Sequence, residues 1–78
     1  MPGRRVAVID IGSNSGRVVV LQIAERGVLE VIDELRAPLR LARAMDHDGR
    51  LTNQAFETTL DAMGDFVALA HGQGAEEI

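Results

Sequence analysis

A run of apolar, mostly β-branched residues that leads into a turn of small polar residues restricts this chain more than any other feature of its sequence. The run covers residues 6–11 and contains a single charge, Asp10. Such a run predicts a strand buried on both faces. Residues 12–16 then read Gly-Ser-Asn-Ser-Gly, a turn that can take positive φ and bring backbone N–H groups close to an anion. A second apolar run at 18–23 returns beside the first, so the stretch predicts a hairpin that could hold a phosphate.

The composition excludes several classes of protein. The 78 residues allow one small domain. Hydrophobic residues make up 46% of the chain, but only two of them, both Phe, are aromatic, so aliphatic side chains must form most of the core. The absence of cysteine excludes a disulfide framework and a thiolate metal site. A formal net charge of −4 offers no basic surface to nucleic acid, and no run approaches the roughly 20 apolar residues of a membrane span. We therefore expect a soluble, cytoplasmic protein that binds neither nucleic acid nor membrane.

Three strands follow from the apolar patterns in the first half of the chain. They are predicted at residues 5–11, 17–25 and 28 to about 37, and the dipeptide Arg26-Gly27 predicts a tight two-residue hairpin between the last two. Acidic residues, which are typical of a strand near a sheet edge, occur in the third strand at Glu30, Asp33 and Glu34. The three strands are expected to form an antiparallel meander.

A helix is predicted from about residue 52 to residue 71, with Thr52 as N-cap and with Gly72 and Gly74 at its end. Its apolar positions, which we expect to pack on the sheet, are Phe56, Leu60, Met63, Phe66, Val67 and Ala70. Residues 76–78 are interpreted as the approach to another element. One helix on three strands leaves the other sheet face and the edge of the first strand uncovered. We therefore expect these residues to be part of a larger protein.

Residues 46–50 predict a surface turn between the third strand and the helix. Asp46, His47 and Asp48 are residue types that bind metals, but consecutive residues in a turn rarely converge on one ion. We interpret them as a solvated turn. His71 is interpreted as a cation that interacts favourably with the C-terminus of the helix.

Residues 8–17, Val-Ile-Asp-Ile-Gly-Ser-Asn-Ser-Gly-Arg, resemble the opening phosphate loop of the exopolyphosphatase/guanosine pentaphosphate phosphohydrolase (Ppx/GppA) family. Later segments agree in order: Leu39-Arg40-Leu41-Ala42 resembles the family's Arg-Leu-Gly segment, and residues 48–52 lead into a helix as they do there. The family more often has Gly and Gly-Leu where this chain has Ala42 and Ala44-Met45. The resemblance implies an α/β, ribonuclease H-like (actin-like ATPase) fold, of which residues 1–78 are an incomplete part.

The resemblance also implies roles for the residues of this loop, 10–17. The backbone N–H groups of residues 12–15 would hold phosphate oxygens, and the side chains of Ser13, Asn14 and Ser15 would add donors. Gly12 belongs to this phosphate-binding set through its backbone. Asp10 would bind Mg²⁺, directly or through water. Arg17 is a candidate for a terminal phosphate, with a solvated strand end as the alternative, and for Arg40 the solvated position is the preferred interpretation.

A complete enzyme of this kind would be a Mg²⁺-dependent hydrolase of polyphosphate or of guanosine penta- or tetraphosphate, and a homodimer. The acid that activates the attacking water is expected beyond residue 78, so the 78-residue chain alone should be inactive. Two alternatives stay open: an actin-like ATPase or sugar/acetate kinase domain, and a non-catalytic phosphate- or nucleotide-sensing module. Product analysis distinguishes hydrolysis, transfer to an acceptor, and binding without turnover.

Overall fold

The computed structural model describes residues 3–41, 45 and 47–78, which form three strands and one helix. The strands are β1 (Arg4–Ile11), β2 (Ser15–Ile23) and β3 (Leu29–Pro38), and the helix is α1 (Asn53–Gly72). Each strand is antiparallel to the next in a sheet of order β1-β2-β3, so the predicted meander and helix are confirmed. Two departures from the family pattern, at Ala42 and Ala44, lie outside the described residues. Asp46 of the predicted turn also lies outside them.

The connection from β2 to β3 differs from the predicted two-residue turn. Ala24 N donates to the carbonyl of Val28 at 2.9 Å, and Gly27 N donates to the carbonyl of Ala24 at 2.8 Å, so three residues form the loop. Gly27 has φ +80°, which matches the common three-residue hairpin with a left-handed residue in its last position. Glycine therefore ends the loop, and the second strand stops at Ile23 rather than at residue 25.

Only one face of the sheet is covered by the helix. Along β2, Gly16, Val18 and Val20 are buried, and the residues between them lie on the other face. On that other face Val8 is 53% exposed and Val31 is 60% exposed. The prediction that the first strand is buried on both faces is thus wrong for this chain, because no described element covers its second face. The prediction of an uncovered sheet face is confirmed.

The helix packs on the sheet through small residues. Its buried positions are Ala55, Ala62, Phe66 and Ala70. Phe66 and Ala70 were predicted correctly, but Phe56 is 57% exposed, Leu60 52% and Met63 37%, so their assignment to the core is wrong. The alanines bring the helix close to the sheet, and the larger residues form a second apolar stripe rotated by about 100° around the axis.

Both predicted helix ends are confirmed. The hydroxyl of Thr52 accepts a hydrogen bond from Ala55 N at 3.1 Å, which makes Thr52 the N-cap. At the other end Gly74 adopts φ +78°, and its amide donates to the carbonyl of His71, while Ala75 N donates to the carbonyl of Ala70. This is a Schellman motif, which satisfies carbonyls that the helix leaves unpaired.

The chain beyond the helix returns to the edge of β1. Ala7 N donates to the carbonyl of Glu77 at 2.9 Å, and Glu76 N donates to the carbonyl of Arg5 at 2.8 Å, in parallel pairing. Residues 76 and 77 thus lie along the edge of β1, and their interpretation as the approach to another element stays a prediction. Within the described part of the chain, the helix is not apolar enough to cross a bilayer.

Residues 45 and 47–51 are described in the turn before the helix. Met45 and Leu51 form an antiparallel bridge, and Gly49 adopts φ +76° between them. The residues around this turn are exposed. No group of three or more acidic, histidine or cysteine side chains that could hold a metal ion occurs among the described residues.

Candidate phosphate-binding site

The hairpin between β1 and β2 is tighter than the sequence predicted. Gly12 N donates to the carbonyl of Ser15 at 2.9 Å, and β2 already begins at Ser15, which pairs with Pro38 of β3. Ser13 and Asn14 are left at the tip, where both are exposed. The amides of these two residues donate to no acceptor among the described residues. Two adjacent N–H groups at an exposed hairpin tip are thus free to bind an anion.

The roles of Gly12 and Gly16 differ from those expected. Neither residue has positive φ. The glycines with positive φ are Gly27, Gly49 and Gly74. The amide of Gly12 is occupied by the carbonyl of Ser15, so in this conformation Gly12 contributes the tight turn rather than a free donor. Its place among the phosphate-binding residues stays a prediction.

The segment after β3 is hydrogen-bonded to the tip of the β1–β2 hairpin. The carbonyl of Asn14 accepts hydrogen bonds from Leu39 N at 2.8 Å and from Arg40 N at 2.9 Å. Arg40 has φ +53°, and it is the one non-glycine residue with positive φ in the described ranges. An arginine in this conformation carries strain that its surroundings must enforce. The two hydrogen bonds fix the orientation of the Asn14 peptide and bring the backbone of Arg40 beside the loop.

Gly16 is required because three side chains close over it. A Cβ atom at this position would lie 3.0 Å from Cε2 of Phe66, 3.1 Å from Cδ1 of Ile11 and 3.2 Å from Cδ1 of Leu39. These distances are shorter than ordinary van der Waals contacts. Phe66 and Leu39 therefore support the β1–β2 loop from the helix side, and the loop is anchored directly to the core.

Gly16→Ala should lower the free energy of unfolding by about 1–3 kcal/mol, because the added methyl group overpacks this contact. Gly64→Ala is the matched control, since a Cβ there meets nothing within 4 Å. Alanine in that exposed helical position should stabilise the protein by about 1 kcal/mol. Thermal unfolding should show midpoints that move in opposite directions. A midpoint that rises for both variants would contradict the packing described for Gly16.

Asp10 and Arg17 lie opposite each other where β1 and β2 approach the loop. They are partners in the register of the two strands, on the sheet face that the helix does not cover. Asp10 is exposed and forms no ion pair or hydrogen bond with a described residue. The carboxylate of Asp10 therefore faces solvent, although the apolar run that contains it predicted a strand buried on both faces.

An exposed carboxylate beside a phosphate loop suits Mg²⁺. This ion retains several waters and is commonly held by one or two carboxylates together with the phosphates of a substrate. Asp10 supplies one such carboxylate, and no described side chain occupies it with a hydrogen bond or an ion pair. The residues present thus fit a magnesium ion that would be bound jointly by Asp10 and by a phosphate ligand.

The register of the sheet adds Arg36 to this region, which the sequence analysis did not identify. Arg36 of β3 is the partner of Arg17, so Asp10, Arg17 and Arg36 form one row across the three strands. The row thus combines two arginines with one aspartate, and the backbone of Arg40 lies beside the loop, although the whole chain is acidic. The local charge favours an anionic ligand.

Comparisons with known proteins agree with the fold. No family model matches the chain. Exopolyphosphatase 1 of Mycobacterium leprae is 28% identical over 74 residues, which cover 95% of this chain and 22% of that protein. Exopolyphosphatase 1 of Mycobacterium tuberculosis shows the same identity and coverage. The crystal structure of the Aquifex aeolicus member of the Ppx/GppA family superposes with a TM-score of 0.86 at 33% identity, over 97% of this chain and 24% of that chain.

The superposed elements define the class of protein. Three antiparallel strands, a helix and a return to β1 form part of the actin-like ATPase fold. Within this class, the chain is similar over at least 95% of its length to proteins of the Ppx/GppA family, in agreement with the resemblance noted in its sequence. The chain spans about one quarter of the length of the relatives it matches.

Proposed function

We propose that this chain contributes the phosphate-binding part of a larger Mg²⁺-dependent hydrolase that releases phosphate from inorganic polyphosphate or from guanosine pentaphosphate. The observation that carries the proposal is the hairpin tip, where the amides of Ser13 and Asn14 donate to no described acceptor. The flanking pair of Asp10 and Arg17 supports it, and so does the name exopolyphosphatase of the mycobacterial relatives. A cytoplasmic homodimer is the proposed form of the whole enzyme.

In the proposed reaction a water oxygen bonds to the terminal phosphorus while the bond from that phosphorus to the bridging oxygen breaks. The products are one phosphate and a chain that is shorter by one unit. The amides of Ser13 and Asn14 would hold the nonbridging oxygens of the terminal phosphate, and the guanidinium of Arg17 would neutralise part of their charge. Donors that are already oriented contribute most when charge develops in the transition state.

Asp10 would hold the metal ion at the end of β1, facing the phosphate. Mg²⁺ bound there would supply charge neutralisation of the phosphate oxygens. The acid that activates the water is proposed to come from outside this chain. The loop thus provides binding and orientation, and we expect the 78-residue chain alone to be inactive.

The proposal is tested by measuring phosphate release from polyphosphate by the full-length enzyme and its Arg17→Gln variant. We expect kcat/KM to fall by about 100-fold, because a charged donor to the reacting phosphate is lost. Arg26→Gln is the matched control, since Arg26 lies in the β2–β3 loop at the opposite end of the strands. Ser13→Ala and Asn14→Ala should each cost less, since their amides remain.

The identity of the products decides between the alternatives. Transfer of phosphate to a sugar or acetate rather than to water would indicate a kinase and overturn the proposal. Binding of polyphosphate without turnover by the full-length protein would indicate a sensing module. Phosphate release that is equal in the wild type and the Arg17→Gln variant would remove Arg17 from the site.

A further inference from the structure

Two arginines lie directly opposite each other at the loop end of the sheet. Arg17 of β2 and Arg36 of β3 are register partners. Like charges in this arrangement destabilise a sheet unless an opposite charge lies between them. Neither guanidinium forms an ion pair with a described residue, and the nearest acidic neighbour in the row, Asp10, flanks Arg17 alone. The pair is thus a concentration of positive charge in which Asp10 lies beside Arg17 and no described carboxylate forms an ion pair with either guanidinium.

Arg17 and Arg36 lie on the sheet face that the helix does not cover, which is also the face of Asp10 beside the proposed ligand. Gly16 and Val18 point to the helix, so Arg17 between them lies on the uncovered face, and its partner Arg36 lies beside it. Neighbouring strands are about 4.8 Å apart, so two guanidinium groups on adjacent strands can contact different phosphate groups of one chain. Each guanidinium presents a planar fork that matches a phosphate bidentately.

We infer that Arg36 is a second phosphate-binding residue, which binds the phosphate that follows the one held by the loop and Arg17. This inference rests on the proposed function and deepens it, because it makes the site selective for a linear chain of phosphates over a single phosphate. The ligand then separates the two positive charges, and its binding relieves their repulsion.

A structural role for Arg36 is the competing explanation. Arg36 also borders a groove between β3 and α1 that contains Asp61 and Asp65 on the helix. An ion pair across this groove would explain the arginine without a ligand. The described residues contain no such ion pair. Arg36→Gln should therefore not lower the melting temperature, and the loss of repulsion with Arg17 should raise it slightly.

The test is calorimetric binding of long-chain polyphosphate, and of inorganic phosphate, to the full-length protein. Arg36→Gln should weaken polyphosphate binding by about tenfold and leave the Kd of inorganic phosphate unchanged, because it removes a charged hydrogen bond beyond the terminal phosphate. Arg17→Gln should weaken both. Arg36→Lys should restore part of the affinity for polyphosphate, and Arg26→Gln should match the wild type for both ligands.

An unchanged polyphosphate Kd in the folded Arg36→Gln variant would overturn the inference, and the proposed hydrolysis would stand if the wild type still released phosphate. An equal loss for both ligands would also overturn it, because Arg36 would then not discriminate chain from single phosphate. A protein that binds polyphosphate through Arg36 but releases no phosphate would support the inference and refute the proposed function.

Discussion

Asp10→Asn should lower the kcat/KM of the full-length enzyme for phosphate release from polyphosphate by about 100-fold or more. Asparagine keeps the shape of the side chain but removes the charge that we propose holds the metal, and a metal ion at a phosphate supplies several kcal/mol of transition-state stabilisation. The carboxylate is exposed and forms no ion pair with a described residue, so its loss should leave the unfolding free energy unchanged. This variant should thus lose activity while it keeps the stability of the wild type.

The measurement is the rate of phosphate release as a function of Mg²⁺ concentration. The Asp10→Asn variant should require more Mg²⁺ for half-maximal activity, and the Mg²⁺-dependent rise in melting temperature with polyphosphate present should decrease. Glu34→Gln is the matched control, because Glu34 lies on the same sheet face opposite Val19, away from the loop. If Asp10→Asn keeps both the rate and the Mg²⁺ dependence of the wild type, the carboxylate does not bind the metal.

The order of elements was predictable because local chemistry determines it. The β-branched runs determine the strands, the Thr52 hydroxyl begins the helix, and Gly74 ends it with positive φ. The loop between β2 and β3 was predicted one residue too short, because the left-handed Gly27 can close either a two- or a three-residue hairpin. Sequence spacing alone does not reveal which carbonyl the glycine amide will meet.

The buried face of the helix could not be read from its hydrophobic residues. The helix has two apolar stripes, one of large side chains that includes Phe56 and Leu60, and one of alanines that includes Ala62 and Ala70. Large residues dominate any hydrophobic pattern, yet here the alanines are buried. The sheet selects them because close approach of α1 lets Phe66 reach Gly16. That pairing is a tertiary contact between residues 50 positions apart in sequence.

The candidate site was predictable only where it is formed by residues that are neighbours in sequence. The loop is local, so Asp10 and the residues after it stand out in sequence. Arg36 does not, because its position beside Arg17 depends on the register of β2 and β3, which includes an irregularity between Val20 and Leu21. A shift of the pairing by one residue would move Arg36 to the helix side of the sheet.

Phe66→Ala should lower the free energy of unfolding of the 78-residue chain by about 3–5 kcal/mol. Phe66 has no exposed surface and packs in the cluster that joins α1 to Val18 and Val20 of β2. Its ring also contacts the position of Gly16 and Leu39, so its removal leaves a cavity beneath the phosphate loop. At about 0.05–0.15 kcal/mol per residue, a chain of this length has a total stability of about 4–12 kcal/mol. The substitution should therefore remove a large part of it.

Phe56→Ala makes the same chemical change on the same helix and serves as the control. Phe56 is 57% exposed, so its loss should cost about 1 kcal/mol or less. Urea denaturation monitored by circular dichroism gives both values, and an unchanged m-value would show that the unfolded states are comparable. Equal losses for the two variants would mean that the helix packs through the stripe of large residues after all. A loss confined to Phe66→Ala would establish that the alanine stripe faces the sheet and that the phosphate loop is supported by the helix core.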